Sequence, residues 1–189
     1  ATQLQDYQGI KEQISKYLIP NIKEEELLLR LYSFALLKLQ EFDLSLKNAI
    51  TLTDLYKSTI NYELLGTIYI SKDEFQKAYD SFNEALKYGV TSSLVQTKAS
   101  LEFFQLNRQK DAVENLKDYL PKSQYDFNIA LQLLTFYNQL NDKQNIQSLL
   151  KEMFLYYKNS EDALQLNKTA NLMFQNFEAN DIIIFLEEN

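Results

Sequence analysis

Three stretches in the middle of this chain keep one register, 34 residues apart, without an insertion. Leu65 is followed by Ala99 and Leu133, Tyr69 by Phe103 and Tyr137, Ala78 by Ala112 and Ile146, and Phe82 by Leu116 and Leu150. The polar triplets Ser71-Lys72-Asp73, Gln105-Leu106-Asn107 and Gln139-Leu140-Asn141 align as well. A fixed period of this size means one two-helix unit repeated, each copy burying its apolar face on its neighbours. The best-kept copy is 59–92, with helices expected at about 59–71 and 74–88, Asp73 as the cap of the second and Gly89 past its end.

Composition agrees. With 3 glycines and 2 prolines in 189 residues, the chain is poor in the residues that turns need, which favours long helices. Hydrophobic residues at 46% and charged residues at 24% are globular values. The net charge of −7, with no two basic residues adjacent, argues against nucleic acid and anionic membrane surfaces as partners. Cysteine and histidine are absent, so thiolate and imidazole chemistry and the usual zinc ligands are absent too. No apolar run approaches the ~18 residues of a membrane span, so no membrane insertion is expected. The compartment stays open; cytoplasmic and exported (periplasmic) settings both fit.

The remaining chain reads as helix. Leu4, Tyr7, Ile10, Ile14 and Leu18 form one apolar face within an N-terminal helix over 1–22, which ends at Pro20-Asn21. Glu24, Glu25 and Glu26 suit a first turn. The helix over 23–40 is apolar around most of its circumference, which predicts burial on several sides. Asp43 is expected to cap the next, with Leu44, Leu46, Ala49, Ile50 and Leu52 facing the core. Extending the period backwards gives a divergent repeat at 23–58 with Tyr32 in the slot of Gly66. Extending it forwards gives a capping helix pair at 161–189 with Asn171 in the slot of Tyr137. The whole is expected to form a single helical repeat domain, 1–189.

The units 59–92, 93–126 and 127–160 resemble the tetratricopeptide repeat (TPR). Gly66, Tyr69, Ala78, Phe82 and Ala85 match its pattern in the first, and Ser100, Phe103 and Ala112 in the second; the third keeps Tyr137 but has Leu134 and Ile146 for small residues. The proline usual between repeats is missing. The resemblance implies an all-α fold, a right-handed α-solenoid of antiparallel helix pairs. Gly66 and Ala78 are expected to let helices approach closely, and Tyr69 to fill the space beside them.

It also implies a function: a non-catalytic protein–protein interaction scaffold or adaptor, binding a peptide or helix of a protein partner in a concave groove lined by the first helix of each unit. The groove-facing residues would be Ile60, Glu63, Thr67 and Ile70; Leu94, Thr97, Lys98, Leu101 and Phe104; and Asn128, Leu131, Thr135 and Asn138. One subclass of the family grips carboxylate termini with basic residues on these helices. Here Glu63 and Leu131 stand where it needs positive charge and Lys98 is the only basic candidate, so the non-clamp type is expected. No catalytic constellation, cofactor loop or metal set is legible, and Asn167-Lys168-Thr169 matches a glycosylation sequon within an expected helix. The apolar run Ile182–Leu186 packs inward or forms a contact patch through Ile182, Ile183 and Phe185, through which a homo-oligomer could assemble. The alternatives to the scaffold are a secretion or assembly chaperone shielding an apolar client segment and that structural oligomer.

Overall fold

The computed structural model describes residues 2–17 and 25–189. Leu18, Pro20, Asn21 and Glu24, and the side chain of Leu4, lie outside the described residues. Those described form eleven α-helices and no strand: α1 (Thr2–Tyr17), α2 (Glu26–Lys38), α3 (Phe42–Leu55), α4 (Thr59–Ser71), α5 (Phe75–Leu86), α6 (Ser92–Phe104), α7 (Gln109–Tyr119), α8 (Phe127–Gln139), α9 (Lys143–Asn159), α10 (Ala163–Asn176) and α11 (Ala179–Glu188). They gather into two compact units, 1–101 and 102–189, and the division falls inside α6.

The repeat is written into the backbone. Asp73, Asn107 and Asn141 have positive φ (58°, 55° and 56°), each at the third residue of an aligned polar triplet. Asp and Asn tolerate this conformation better than other side chains with a Cβ. After α4 and α8 the chain closes alike: Glu74 N–H donates to Tyr69 C=O and Asp142 N–H to Tyr137 C=O, both at 2.9 Å. The turn after α6 is wider, with Arg108 N–H reaching the Glu102 carbonyl at 2.8 Å. Asp73 is therefore the left-handed turn residue and not the helix cap expected of it; Glu74 holds the cap position of α5. Asp43 likewise lies inside the first turn of α3, behind Glu41, and its carboxylate pairs with Lys72.

In unit 1, α2 pairs with α3 and α4 with α5. A core of Leu29, Leu37, Ala49, Leu52, Leu64, Leu65 and Ile68 joins α2, α3 and α4. The left-handed residue after α2 is Gln40, 33 residues before Asp73, and Glu41 N–H closes on Leu36 C=O. The first repeat is thus one residue shorter than the period. Ser33, not Tyr32, takes the place of Gly66, and Ser45 that of Ala78; all four are buried. Ser45 Oγ donates to Ser33 C=O at 2.7 Å and Ser33 Oγ to Leu29 C=O at 2.9 Å, so both hydroxyls are satisfied where the helices touch. Tyr32 instead packs with Leu36 and with Ile14 of α1. The same shift leaves Leu44 and Ile50 exposed, while Ala49 and Leu52 are fully buried as expected. Helix α2 is buried against α1, α3 and α4, and a stripe of Leu27, Leu31 and Phe34 is exposed on it. On α1, Ile14 is buried, Ile10 is exposed and Tyr7 meets Phe34 edge-on at 6.0 Å.

In unit 2, α7 through α10 pair in sequence and α11 lies beside α10. Phe103 stacks on Phe136 (4.1 Å), and Leu116, Leu133 and Leu150 are buried. The last pair also leaves the period. Asp126 caps α8 and Asp162 caps α10, 36 residues later, because α9 runs to 17 residues. Buried Met173 therefore fills the slot of Tyr137, and exposed Asn171 does not.

Candidate functional site

The first helices of the pairs carry the candidate residues, and each unit places its own set. In unit 1, Ile60 at the start of α4 is 56% exposed, and Glu63, Thr67 and Ile70 are half-buried. The Glu63 carboxylate accepts a hydrogen bond from Ser93 Oγ at 2.6 Å, tying α4 to α6. Thr67 Oγ1 donates to Glu63 C=O at 2.8 Å. Buried Asn61 locks α2 to α4: its amide donates to Glu26 Oε1 (2.9 Å) and to Tyr56 C=O (2.7 Å), and Arg30 donates to its oxygen at 3.3 Å. The shifted register of the first repeat sets Leu27 of α2, also exposed, in the slot of Ile60.

Helix α6 departs from expectation. Leu94, Lys98 and Leu101 are buried, while Thr97 is half-buried. The Lys98 ammonium lies over the Tyr79 ring, 4.8 Å from its centroid, so its charge is held there and not presented on a surface. Phe104 is 54% exposed and touches Phe103 and Phe136 edge-on.

Unit 2 brings its candidates together. Leu131, Thr135 and Asn138 of α8 line one concavity of about 490 Å³ with Leu134, Ile146 of α9, and Leu172, Gln175 and Asn176 of α10. Asn128, one turn earlier, is exposed and outside it. Thr135, Asn138 and Asn176 each donate one hydrogen bond to a carbonyl of their own helix. Thr135 Oγ1 donates to Leu131 C=O (2.8 Å), Asn138 Nδ2 to Leu134 C=O (2.9 Å) and Asn176 Nδ2 to Leu172 C=O (2.8 Å). What each of these two amides has left is its oxygen and one N–H, beside walls of leucine and isoleucine. Such a surface suits a guest with apolar side chains and free N–H groups, as a peptide has. The α10 residues were not legible as partners of Leu131 because the two-residue slip before α10 moves them out of the aligned positions.

The C-terminal run divides. Ile182 and Phe185 are buried, three residues apart on one helix face, and Phe185 meets Phe154 of α9 edge-on at 5.7 Å under the Lys151 ammonium. Of the expected patch only Ile183 is exposed, accompanied by Ile184 and Leu186. Among the described residues no group of three or more acidic residues is placed to hold a metal ion, and no helix is long and apolar enough to cross a membrane. The sequon residue Thr169 is fully buried, donating to Gln165 C=O at 2.8 Å.

No family model matches this sequence, and no curated protein does. Solved structures do resemble the fold. YrrB, described as a TPR protein with an unusual peptide-binding site, superposes with a TM-score of 0.61 at 15% identity, over 94% of this chain and 98% of that one. MamA gives 0.68 at 14% identity, over 84% and 87%. The thermophilic TPR protein TTC0263 of Thermus thermophilus gives 0.60 at 15% identity, over 92% and 93%.

Proposed function

From the tetratricopeptide-repeat fold that these structures share with the chain, we propose that the protein is a non-catalytic interaction scaffold that takes a peptide segment of a protein partner against the first helices of its pairs. The observation that carries this reading is the α8–α10 concavity. It combines apolar walls from Leu131, Leu134, Ile146 and Leu172 with the amide oxygens of Asn138 and Asn176. The description of YrrB as a peptide binder supports the same reading by analogy of fold.

The guest is an extended or helical peptide with apolar side chains, recognised without a carboxylate clamp. No Lys or Arg lines the concavity. The surface of the protein is acidic, with a net charge of −7, so a neutral or basic segment is favoured over an acidic one. In unit 1, exposed Leu27 and Ile60 offer apolar surface of their own on α2 and α4.

Selection from a random peptide display library, followed by titration of the enriched peptides, tests the proposal. Leu131→Glu and Thr135→Arg should each weaken binding about tenfold or more, since each puts a charge into an apolar contact. Ile183→Glu on α11 should leave it unchanged. Equal affinity for wild type and both groove variants sinks the reading.

A further inference from the structure

Unit 2 has a second concavity, of about 200 Å³, lined by residues of α7, α8, α9 and the α7–α8 connection. Leu133 and Leu149 form apolar wall, and Tyr125, Tyr137, Glu152 and Lys117 supply polar groups. Tyr137 is only 4% exposed. Yet among the described residues its hydroxyl has no hydrogen-bond partner, although it lines open space. The ring is buried, but the hydroxyl oxygen is not, and it opens onto the concavity, where it is free to meet a guest. Glu152 is likewise without an ion pair or hydrogen bond among the described residues. The Tyr125 ring is fixed by stacking on Tyr156 at 4.5 Å, and its carbonyl accepts from the Tyr157 hydroxyl.

Burial first, and then neighbouring negative charge that includes Glu152, push both the Tyr125 and the Tyr137 phenols above their ordinary range. An anion entering here meets Glu152. A purely apolar guest leaves the Tyr137 hydroxyl and the Glu152 carboxylate unanswered. A small cation on an alkyl stem answers all of them, donating to the carboxylate and the phenol oxygen while its methylenes lie on leucine and tyrosine rings. At roughly 30 Å³ per water-sized group, the volume admits on the order of seven such groups, the size of a short alkyl stem with its charged head.

We propose that this concavity is a binding site for an alkylammonium or alkylguanidinium group. That group is either a lysine or arginine side chain of a partner or a free aliphatic amine. The site is separate from the α8–α10 concavity, and its test does not depend on that one.

The test uses the whole chain with ring-labelled tyrosine, observed by NMR while n-butylammonium, n-butylguanidinium and neutral n-butanol are titrated in. The expected result is saturable movement of the Tyr125 and Tyr137 signals with either cation at millimolar concentration, and butanol at least about tenfold weaker. Glu152 is exposed, so Glu152→Gln leaves the fold intact; it should weaken the cations about tenfold. Lys117→Gln should strengthen them. Acetyl-lysine and acetyl-arginine methylamides bind better than putrescine if the source is a peptide side chain, and worse if it is a free amine. Absence of saturable shifts with either cation, equal binding of butanol, or indifference to Glu152→Gln each overturns the proposal.

Discussion

A methyl group placed on Gly66 would stand 2.7 Å from Cδ1 of Phe82, inside a ring that has no exposed surface to retreat to. This contact sets the distance between α4 and α5. Gly66→Ala should destabilise the chain by about 1–3 kcal/mol through overpacking, despite the helix propensity that alanine brings. Gly9→Ala on α1, where nothing lies within 4 Å, should be neutral or slightly stabilising. Urea unfolding of the two variants measures both.

The left-handed turns give a second prediction. Asn141 sits at φ 56°. A β-branched side chain is strained there, so Asn141→Val should lose about 1–2 kcal/mol, whereas Asn141→Gly should hold or gain stability. Thermal unfolding of the pair separates a backbone effect from loss of the asparagine side chain, because both variants remove that side chain.

How far the sequence could be read follows from these same positions. Between 59 and 160 the period, the Gly66 slot and the Asp73–Asn107–Asn141 turns were all visible, because no residue is inserted or lost. At the ends the count fails by one residue before Asp73 and by two before Asp162. A helix repeats every 3.6 residues, so a slip of one or two still lands some apolar residues on the core face and leaves no obvious break. Ser33 was hidden behind Tyr32 for that reason, and Met173 behind Asn171. The burial of Leu94 and Lys98 alongside Leu101 was harder to read. These three share one face, and Val95, Ala99 and Phe103 bury another, so α6 is covered on more than one face, which a pattern of single-sided amphipathicity does not anticipate.

Asn61 is the polar lock of unit 1. Asn61→Ala would strip the partner from the buried-side carbonyl of Tyr56 and from Glu26 and Arg30 together. A loss of about 1–3 kcal/mol is expected, read by denaturant unfolding. A loss below that range would mean that water replaces the amide without cost.

Alkaline pH should weaken unit 2 through Tyr157. Burial, with Asp162 and Asp126 nearby, pushes its phenol up to about 12. The folded state therefore holds this proton more tightly than the unfolded chain, whose phenol titrates near its ordinary ~10. The contribution is whole below that ordinary value and is lost as pH rises from there through about 12. Tyr157→Phe should be less stable at neutral pH, having lost the hydrogen bond to Tyr125 C=O, and should show a shallower decline above pH ~10. Stability measured against pH, with tyrosinate absorbance followed in parallel, checks the sign.

The claim that the first helices hold a peptide is tested most directly by amide hydrogen exchange of the whole chain with and without a display-selected peptide. Protection concentrated on α8 and α10, around Leu131–Asn138 and Leu172–Asn176, is the result predicted. Protection confined to α11, or to the outward faces of α7 and α9, would contradict it.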